Sequence, residues 1–554
     1  MKKSQLLSSV LTLLFLGAFC TNLGMEENPR PTKMRKTQES GKPSNTRHNR
    51  FSSMVYLPHN LSGVISDEQA DKFGQKLNRD VFSNQLVLVK VPGGWKFAFI
   101  VNISGEGVFT FRTCGAQPYD VQYQFNQMRD GSLFKILKPY YQCMWQSGVA
   151  TPWFMAAIDD LLRVMPQSKD PNFQGFIIPA DSYIGVIGDL HGDVEALQHN
   201  MQELFNKNFF DENLRLRPKY YIVLTGDYAD RGTCGAEIYY ILSQFKVANP
   251  EQVFLLHGNH EFTGMAKDPE HGGLFEELGI KYGDISIQAI AALFDRLPYM
   301  LLIGLRTCNT NYYNFVQFCH GGIDPEFNIK NHMIHIIENP ANINLFTLPE
   351  PSIQPICSYD FVGDTVTQSS DRKGPAAADK LKTPQKKGKV ASRRQNGVAA
   401  NTSMFRDYLT TKSTDLESEI KFELTCVIRG HEHDVPSGAA RLLDTDLLSW
   451  KPLAPGVKYP LEKTVYTFIS CPHAMPAYVH NYTHGILHAT DYGRWYLTVH
   501  AYPVPMQLVA SAAASSKSAF QPVIRGITGS PSPVKRQLRF DDKDKKDNMI
   551  SFIS

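Results

Sequence analysis

The stretch YIGVIGDLHGD (183–193) decides the fold: an apolar run ends at a glycine and delivers Asp189 and His191, two residues apart, just beyond it. Four further stretches repeat that design. KYYIVLT (219–225) leads to GDYADRG (226–232), QVFLL (252–256) to GNHE (258–261), NFVQF (314–318) to HGG (320–322), and FELTCVI (422–428) to RGHEH (429–433). Runs of this length, rich in Val, Ile, Leu, Phe and Tyr, read as buried strands. In an α/β architecture functional groups gather beyond the carboxyl ends of the strands, so five strand ends can bring distant residues to one cleft. Side chains at i and i+2 of an extended strand point the same way. Asp189 with His191, and His431 with His433, are therefore expected as two pincers on extended backbone. The glycines around them suit sharp turns and close backbone approach.

Asp189, His191, Asp227, Asn259, His320 and His431 form an oxygen and nitrogen set suited to two divalent metal ions, with Asp227 free to bridge them. Such a set points to phosphate ester hydrolysis. One motif alone would more often mark a hydrogen-bonded core residue, and it is the five in this order that outweigh that reading.

With GDxHG, GDxxDRG, GNHE and HGG all present, residues 180–505 resemble the phosphoprotein phosphatase (serine/threonine protein phosphatase) family of calcineurin-like metallophosphoesterases. FEELGIKYG (275–283), FDRLPYMLLI (294–303) and HGGIDPEF (320–327) follow GNHE in that family's order. The resemblance implies an α/β fold, a calcineurin-like β-sandwich flanked by helices, to which the apolar and alternating runs of 51–150 add a small β-rich N-terminal extension. It implies that Asp189 and His191 hold one metal, that Asp227 bridges, and that Asn259, His320 and His431 hold the second. The two divalent ions, Mn, Fe or Zn, would activate a bridging water or hydroxide for in-line attack. His260 would protonate the leaving oxygen, Asp230 would orient that histidine, and Arg231 would clamp the phosphate with its planar fork. A second phosphate arginine is expected in SRRQNGV (392–398), Arg394 or alternatively Arg393.

Three positions depart from the family pattern. His257 stands where Arg commonly precedes GNHE, so a phosphate-binding or structural contact is replaced. His433 adds a histidine to the last motif, expected either as a further ligand or as a hydrogen-bond donor behind the ligands. SCPHAMPAY (470–478) replaces a SAPNY-like segment, which alters the acceptor side of the cleft. The substrate implied is a phosphoprotein or phosphopeptide. A dinucleoside polyphosphate or nucleotide hydrolase, and an exported metal-binding interaction protein, are the alternatives.

The 554 residues, 42% hydrophobic, suit one large domain with a smaller one and tails, and a net charge of +3 excludes the global basic field of a nucleic-acid protein. MKK followed by LLSSVLTLLFLGAFC (6–20) has the form of a secretory signal over 1–22, too short for a comfortable membrane span. Export to a periplasm or the exterior is expected, with an uncleaved anchor as the other outcome. Eight of the nine cysteines lie beyond Cys20 and suit either disulfides or buried thiols. Residues 23–50 read as a disordered linker, 51–150 as a small β-rich domain or cap, 151–510 as the metallophosphoesterase domain, and 511–554 as a disordered tail. Within the metallophosphoesterase domain, 365–403 carries nine Lys or Arg against Asp371 and Asp379, and reads as a disordered basic insertion that would attract an acidic substrate or partner.

Overall fold

A computed structural model describes residues 64–504 with interruptions, the longest being 77–84, 363–388, 409–419 and 443–449. The basic insertion and both chain ends therefore lie outside the described residues for the most part. Two sheets face each other. In the first the order is β3, β2, β1, then Asn481–Ala489, Trp495–Pro503 and Lys458–Pro460, with β1 spanning Ser182–Ile187, β2 Tyr220–Leu224 and β3 Val253–Leu255. β1, β2 and β3 are mutually parallel. The second sheet runs Asn344–Thr347, Asn172–Ile178, Met300–Arg306, β4 (Tyr312–Cys319), β5 (Lys421–Arg429), β6 (Val465–Phe468), Ala439–Leu442 and Trp450–Pro452. β4, β5 and β6 are parallel too.

The strands read as continuous apolar runs because both of their faces are buried. Ile184, Val186, Val223 and Phe254 from the first sheet meet Val316, Phe318, Ile428 and Phe468 from the second in the sandwich interior. Their alternate neighbours Ile187, Ile222 and Leu224 pack outward against helices Val194–Asn206 and Gly235–Ala248. On the far side Phe315, Cys319 and Leu424 pack under helix Ile329–Glu338. Helix, sheet, sheet, helix is the resulting layering, and all five motif-bearing strands end at the same edge of it.

Ahead of the sandwich lies a six-stranded antiparallel sheet, in the order Gly74–Gln75, Phe134–Leu137, Leu86–Val91, Gly94–Ile103, Val108–Thr113 and Asp120–Gln124. Tyr123 on its last strand donates to the Lys90 carbonyl on the third, so the sheet curls. Val87, Val89, Ile100, Phe111 and Phe134 fill the inside of the curl. The alternate residues Leu86, Leu88, Trp95 and Phe97 belong to the same core as Ile187, Leu204 and Phe245 of the sandwich's helical side. Tyr140 locks the contact by stacking on Phe205 at 4.2 Å and donating to Gln202 Oε1 at 2.7 Å. No disulfide forms among the seven described cysteines, and no helix among the described residues is long and apolar enough to cross a membrane.

One part of this core titrates. His484 is fully buried, with one ring nitrogen on Asn200 Oδ1 at 3.1 Å and Nε2 without a hydrogen-bond partner, and it stacks on His500 at 5.0 Å. Burial, then His500, pushes the His484 pKa well down; burial and Lys207 push His500 to about 4. Unfolded histidines titrate near 6.5, so between about pH 6.5 and 4 these two rings bind more protons in the unfolded chain than in the folded one. Their contribution to stability is thus full above that window and falls as pH drops through it. Urea unfolding at pH 7, 6 and 5 should show this loss, and His484→Gln should shallow it by up to one proton, about 1.4 kcal/mol per pH unit.

Candidate metal centre

The five motifs meet at one point. Asp189 follows β1, Asp227 follows β2, Asn259 follows β3, His320 follows β4, and His431 and His433 follow β5. The expected extended pincers do not form. Asp227, His191 and His431 adopt positive φ of 55°, 45° and 69°, so left-handed turns just past the strand ends aim these side chains, not strand alternation. Backbone bonds hold the strained loops together: Leu190 and His191 N–H groups donate to the Asp227 carbonyl at 3.0 and 2.9 Å, and Gly192 N–H to that of Tyr228 at 2.9 Å. Such strain persists only where neighbours over-determine it.

The side chains converge as three clusters whose ligand atoms lie within 4.8 Å of one another: Asp189, His191 and His433; His191, Asp227 and His260; Asp227, His320 and His431. Two rings have their tautomer fixed. His320 Nδ1 donates to the Thr225 carbonyl at 3.0 Å and His191 Nδ1 to that of Ala229 at 3.3 Å, which leaves both Nε2 lone pairs facing inward. His191 Nε2 looks across 3.4 Å at His433 Nε2. Asp227 Oδ2 is buried with no hydrogen-bond partner, although His320 Nε2, His191 Nε2 and His260 Nε2 stand 3.1, 3.6 and 3.9 Å away. Asn259 Oδ1 completes the group, 3.0 Å from His320 Nε2 and 2.9 Å from His431 Nδ1. A bare buried carboxylate oxygen and opposed imidazole lone pairs are unfavourable alone and are satisfied together by cations. The donor set therefore fits divalent metal ions. Burial opposes ionisation of Asp227, but His320 and His260 outweigh it and hold its carboxyl well below the usual range.

His260 sits beside this cluster with a different set of partners. Its Nδ1 donates to Asp230 Oδ2 at 2.9 Å, and its Nε2 lies 3.3 Å from Arg231 Nη2. Burial disfavours the imidazolium, yet Asp227 and the Asp230 hydrogen bond together raise its pKa. Arg231 reaches over the cleft, 3.2 Å from His433 Nδ1 and 2.9 Å from Met475 Sδ. It makes no ion pair with a carboxylate among the described residues, so it is not a mere surface pair. These contacts put His260, Asp230 and the Arg231 guanidinium at one rim of the ligand clusters.

The calcineurin-like phosphoesterase family profile matches residues 182–435, the span that holds all of these residues but Met475. This chain carries a calcineurin-like phosphoesterase domain. It is similar to the serine/threonine-protein phosphatase 4 catalytic subunits of Saccharomyces cerevisiae, 29% identical over 154 residues, and of Kluyveromyces lactis, 30% identical over 167. Those alignments cover 28% and 30% of this chain, and 43% and 46% of the relatives, so the chain spans less than half the length of the curated relatives it matches. A solved protein serine/threonine phosphatase from Saccharomyces cerevisiae with similarity to human phosphatase PP5 aligns with 64% of this chain and 91% of its own, at 19% identity and a TM-score of 0.40.

His257 faces the core and not the phosphate side: it is 2% exposed, stacks on Tyr299 at 4.3 Å, and points Nδ1 at the Gly258 carbonyl 2.7 Å away. Burial pushes its pKa to about 3, so at neutral pH it brings no charge for a phosphate. Its place is structural because an imidazole, unlike a guanidinium, can be buried neutral. Arg394 and Arg393 lie outside the described residues. In the SCPHAMPAY segment, His473 is tied to Asp193, which accepts from its backbone N–H at 2.7 Å while capping helix Val194–Asn206.

Sequence reasoning missed Glu261, the last residue of GNHE. Its carboxylate accepts from the N–H groups of Asp227 and Gly258 at 2.8 Å each and of Tyr228 at 3.0 Å, and from the Tyr239 hydroxyl at 3.1 Å. It thereby pins the left-handed Asp227 to the GNHE turn. Its polar neighbours Asn259 and His260 gave no signal that set it apart, and most of its partners are far away in sequence. Gly430 shows how little room remains, since a Cβ there would stand 2.0 Å from Asp189 Oδ1. Gly430→Ala should displace Asp189 and cut metal occupancy at least tenfold, measured by metal analysis after dialysis; full occupancy would contradict this packing.

Proposed function

We propose that this chain is a dimetal-dependent phosphomonoester hydrolase that removes phosphate from phosphoserine or phosphothreonine in proteins. The observation that carries the reading is the bare, buried Asp227 Oδ2 ringed by histidine nitrogens, with a histidine–aspartate pair and an arginine that has no carboxylate partner among the described residues beside it. Bound divalent ions would supply charge to neutralise phosphoryl oxygens and to acidify a water. Asp189, His191 and His433 would hold one, Asn259, His320 and His431 the other, with Asp227 between them.

The chain's own groups do the rest. Arg231 binds a phosphoryl oxygen, its fork poised over the cleft beside Met475. Asp230 accepts the Nδ1 proton of His260 and so presents Nε2, which carries the transferable proton to the seryl or threonyl oxygen as it leaves. An alkoxide leaving group is strongly basic, so a positioned acid matters most for such substrates. The names of the phosphatase 4 relatives support the substrate class.

Phosphate release from phosphoserine, phosphothreonine and phosphotyrosine peptides and from a dinucleoside tetraphosphate tests it. Turnover of the first two peptides is the expected result. Preference for the dinucleotide would move the chain to nucleotide hydrolysis, and preference for phosphotyrosine would reverse the assignment of substrate.

A further inference from the structure

The His260–Asp230 pair is anchored from outside the cleft. Asp230 uses its second oxygen, Oδ1, to accept from the N–H of Leu274 at 2.8 Å, the first residue of helix Leu274–Tyr282. That helix returns the contact. Glu277, three residues on, accepts from the N–H groups of Gly235 and Ala236 at 3.1 and 3.0 Å, the start of the helix that follows the GDYADRG loop. The loop and the helix therefore cap each other's ends.

Lys281 closes the circuit. Its ammonium donates to Glu277 Oε1 at 2.8 Å, to Glu237 Oε2 at 2.7 Å, and to the Thr233 carbonyl at 3.2 Å, two residues past Arg231. Glu277 and Glu237 are 2% and 7% exposed, and the lysine side chain 12%. Burial disfavours its charge, but the two carboxylates win and raise its pKa. A buried pair of this kind is weak evidence of stability, and in some proteins its role is to specify one geometry. Here that geometry belongs to a loop that needs specifying, because Asp230 and Arg231 have positive φ of 68° and 61°.

We infer that Lys281 and Glu277 are positioning residues, which set the aim of the proton donor His260 through Asp230 and of Arg231 through the 230–235 loop. The inference rests on the proposed hydrolytic reading. Neither side chain touches substrate; loosening them lets Asp230 drift from His260 while the metal ligands stay in place. The loss should fall on the step that needs the acid.

The test compares two leaving groups on the full chain: 4-nitrophenyl phosphate, whose phenolate leaves unaided, and a phosphoserine peptide, whose alkoxide does not. Glu277→Gln, and the double variant Lys281→Met with Glu277→Gln, which keeps the cluster's net charge, are expected to lose at least tenfold more kcat on the peptide than on the aryl ester. His260→Ala should show the same split, and Lys281→Arg should recover most of it. Equal losses on both substrates, or none, beside a split in His260→Ala would overturn the inference and leave the hydrolytic reading standing. No turnover of either substrate by the wild-type chain would sink that reading instead. A second readout then decides the inference: the imidazole Nδ1–H resonance of His260, identified by its loss in His260→Ala, should shift or broaden in the double variant, and an unmoved resonance would overturn it.

Discussion

Asp227→Asn is expected to abolish metal-dependent phosphate release while leaving the fold intact. The amide is nearly isosteric and keeps an oxygen to accept from the His260 N–H, a bond of 2.9 Å in the wild type. What it removes is the negative charge at Oδ2, the atom that stands between the His191 and His320 nitrogens with no hydrogen bond of its own. Two clusters of metal donors share this residue, so both are weakened by one substitution. Lewis-acid stabilisation is worth several kcal/mol, so a loss of about three orders of magnitude in kcat/KM is expected. Steady-state assays with added Mn, alongside circular dichroism to confirm the fold, measure it. Activity within tenfold of wild type would mean that Asp227 does not bridge.

His260→Ala should give the second largest effect, and one of a different kind. Removing a general acid costs about 10² to 10⁴-fold on substrates whose leaving group needs the proton. On phosphoserine peptides the full loss is expected, on 4-nitrophenyl phosphate much less, with metal content unchanged. Asp230→Asn should follow the same pattern more weakly, because the 2.9 Å bond to His260 Nδ1 becomes neutral and its tautomer is no longer enforced. Uniform losses across leaving groups would assign His260 to metal binding, a role its proximity to Asp227 also allows on geometry.

Why the site could be read so early is a matter of burial. β1, β2, β4 and β5 lie between two cores, so their sequences are unbroken apolar runs, and the polar residues that follow stand out. The sandwich and the convergence of Asp189, Asp227, Asn259, His320 and His431 follow from that pattern. What aims those groups was not legible. A positive φ at His191, Asp227 or His431 depends on backbone partners in other loops, which no local pattern announces. His257 is a similar case: only the fold reveals Tyr299 stacked against it. Glu277 and Lys281 read locally as an ordinary i to i+4 ion pair, whereas their effect comes from the start of a helix forty residues earlier. The β-rich segment ahead of the sandwich was visible as strands, but its shared core with Ile187 and Leu204 was not, since alternating Leu and Val look alike whichever face they cover.

The most direct test of the central claim is a titration of metal-stripped protein with Mn, following phosphate release from a phosphoserine peptide and bound metal together. Activity that is negligible without metal and saturates as two ions bind per chain is the predicted result. Turnover that survives complete metal removal, or a chain that binds no Mn at the five-strand edge, would contradict it.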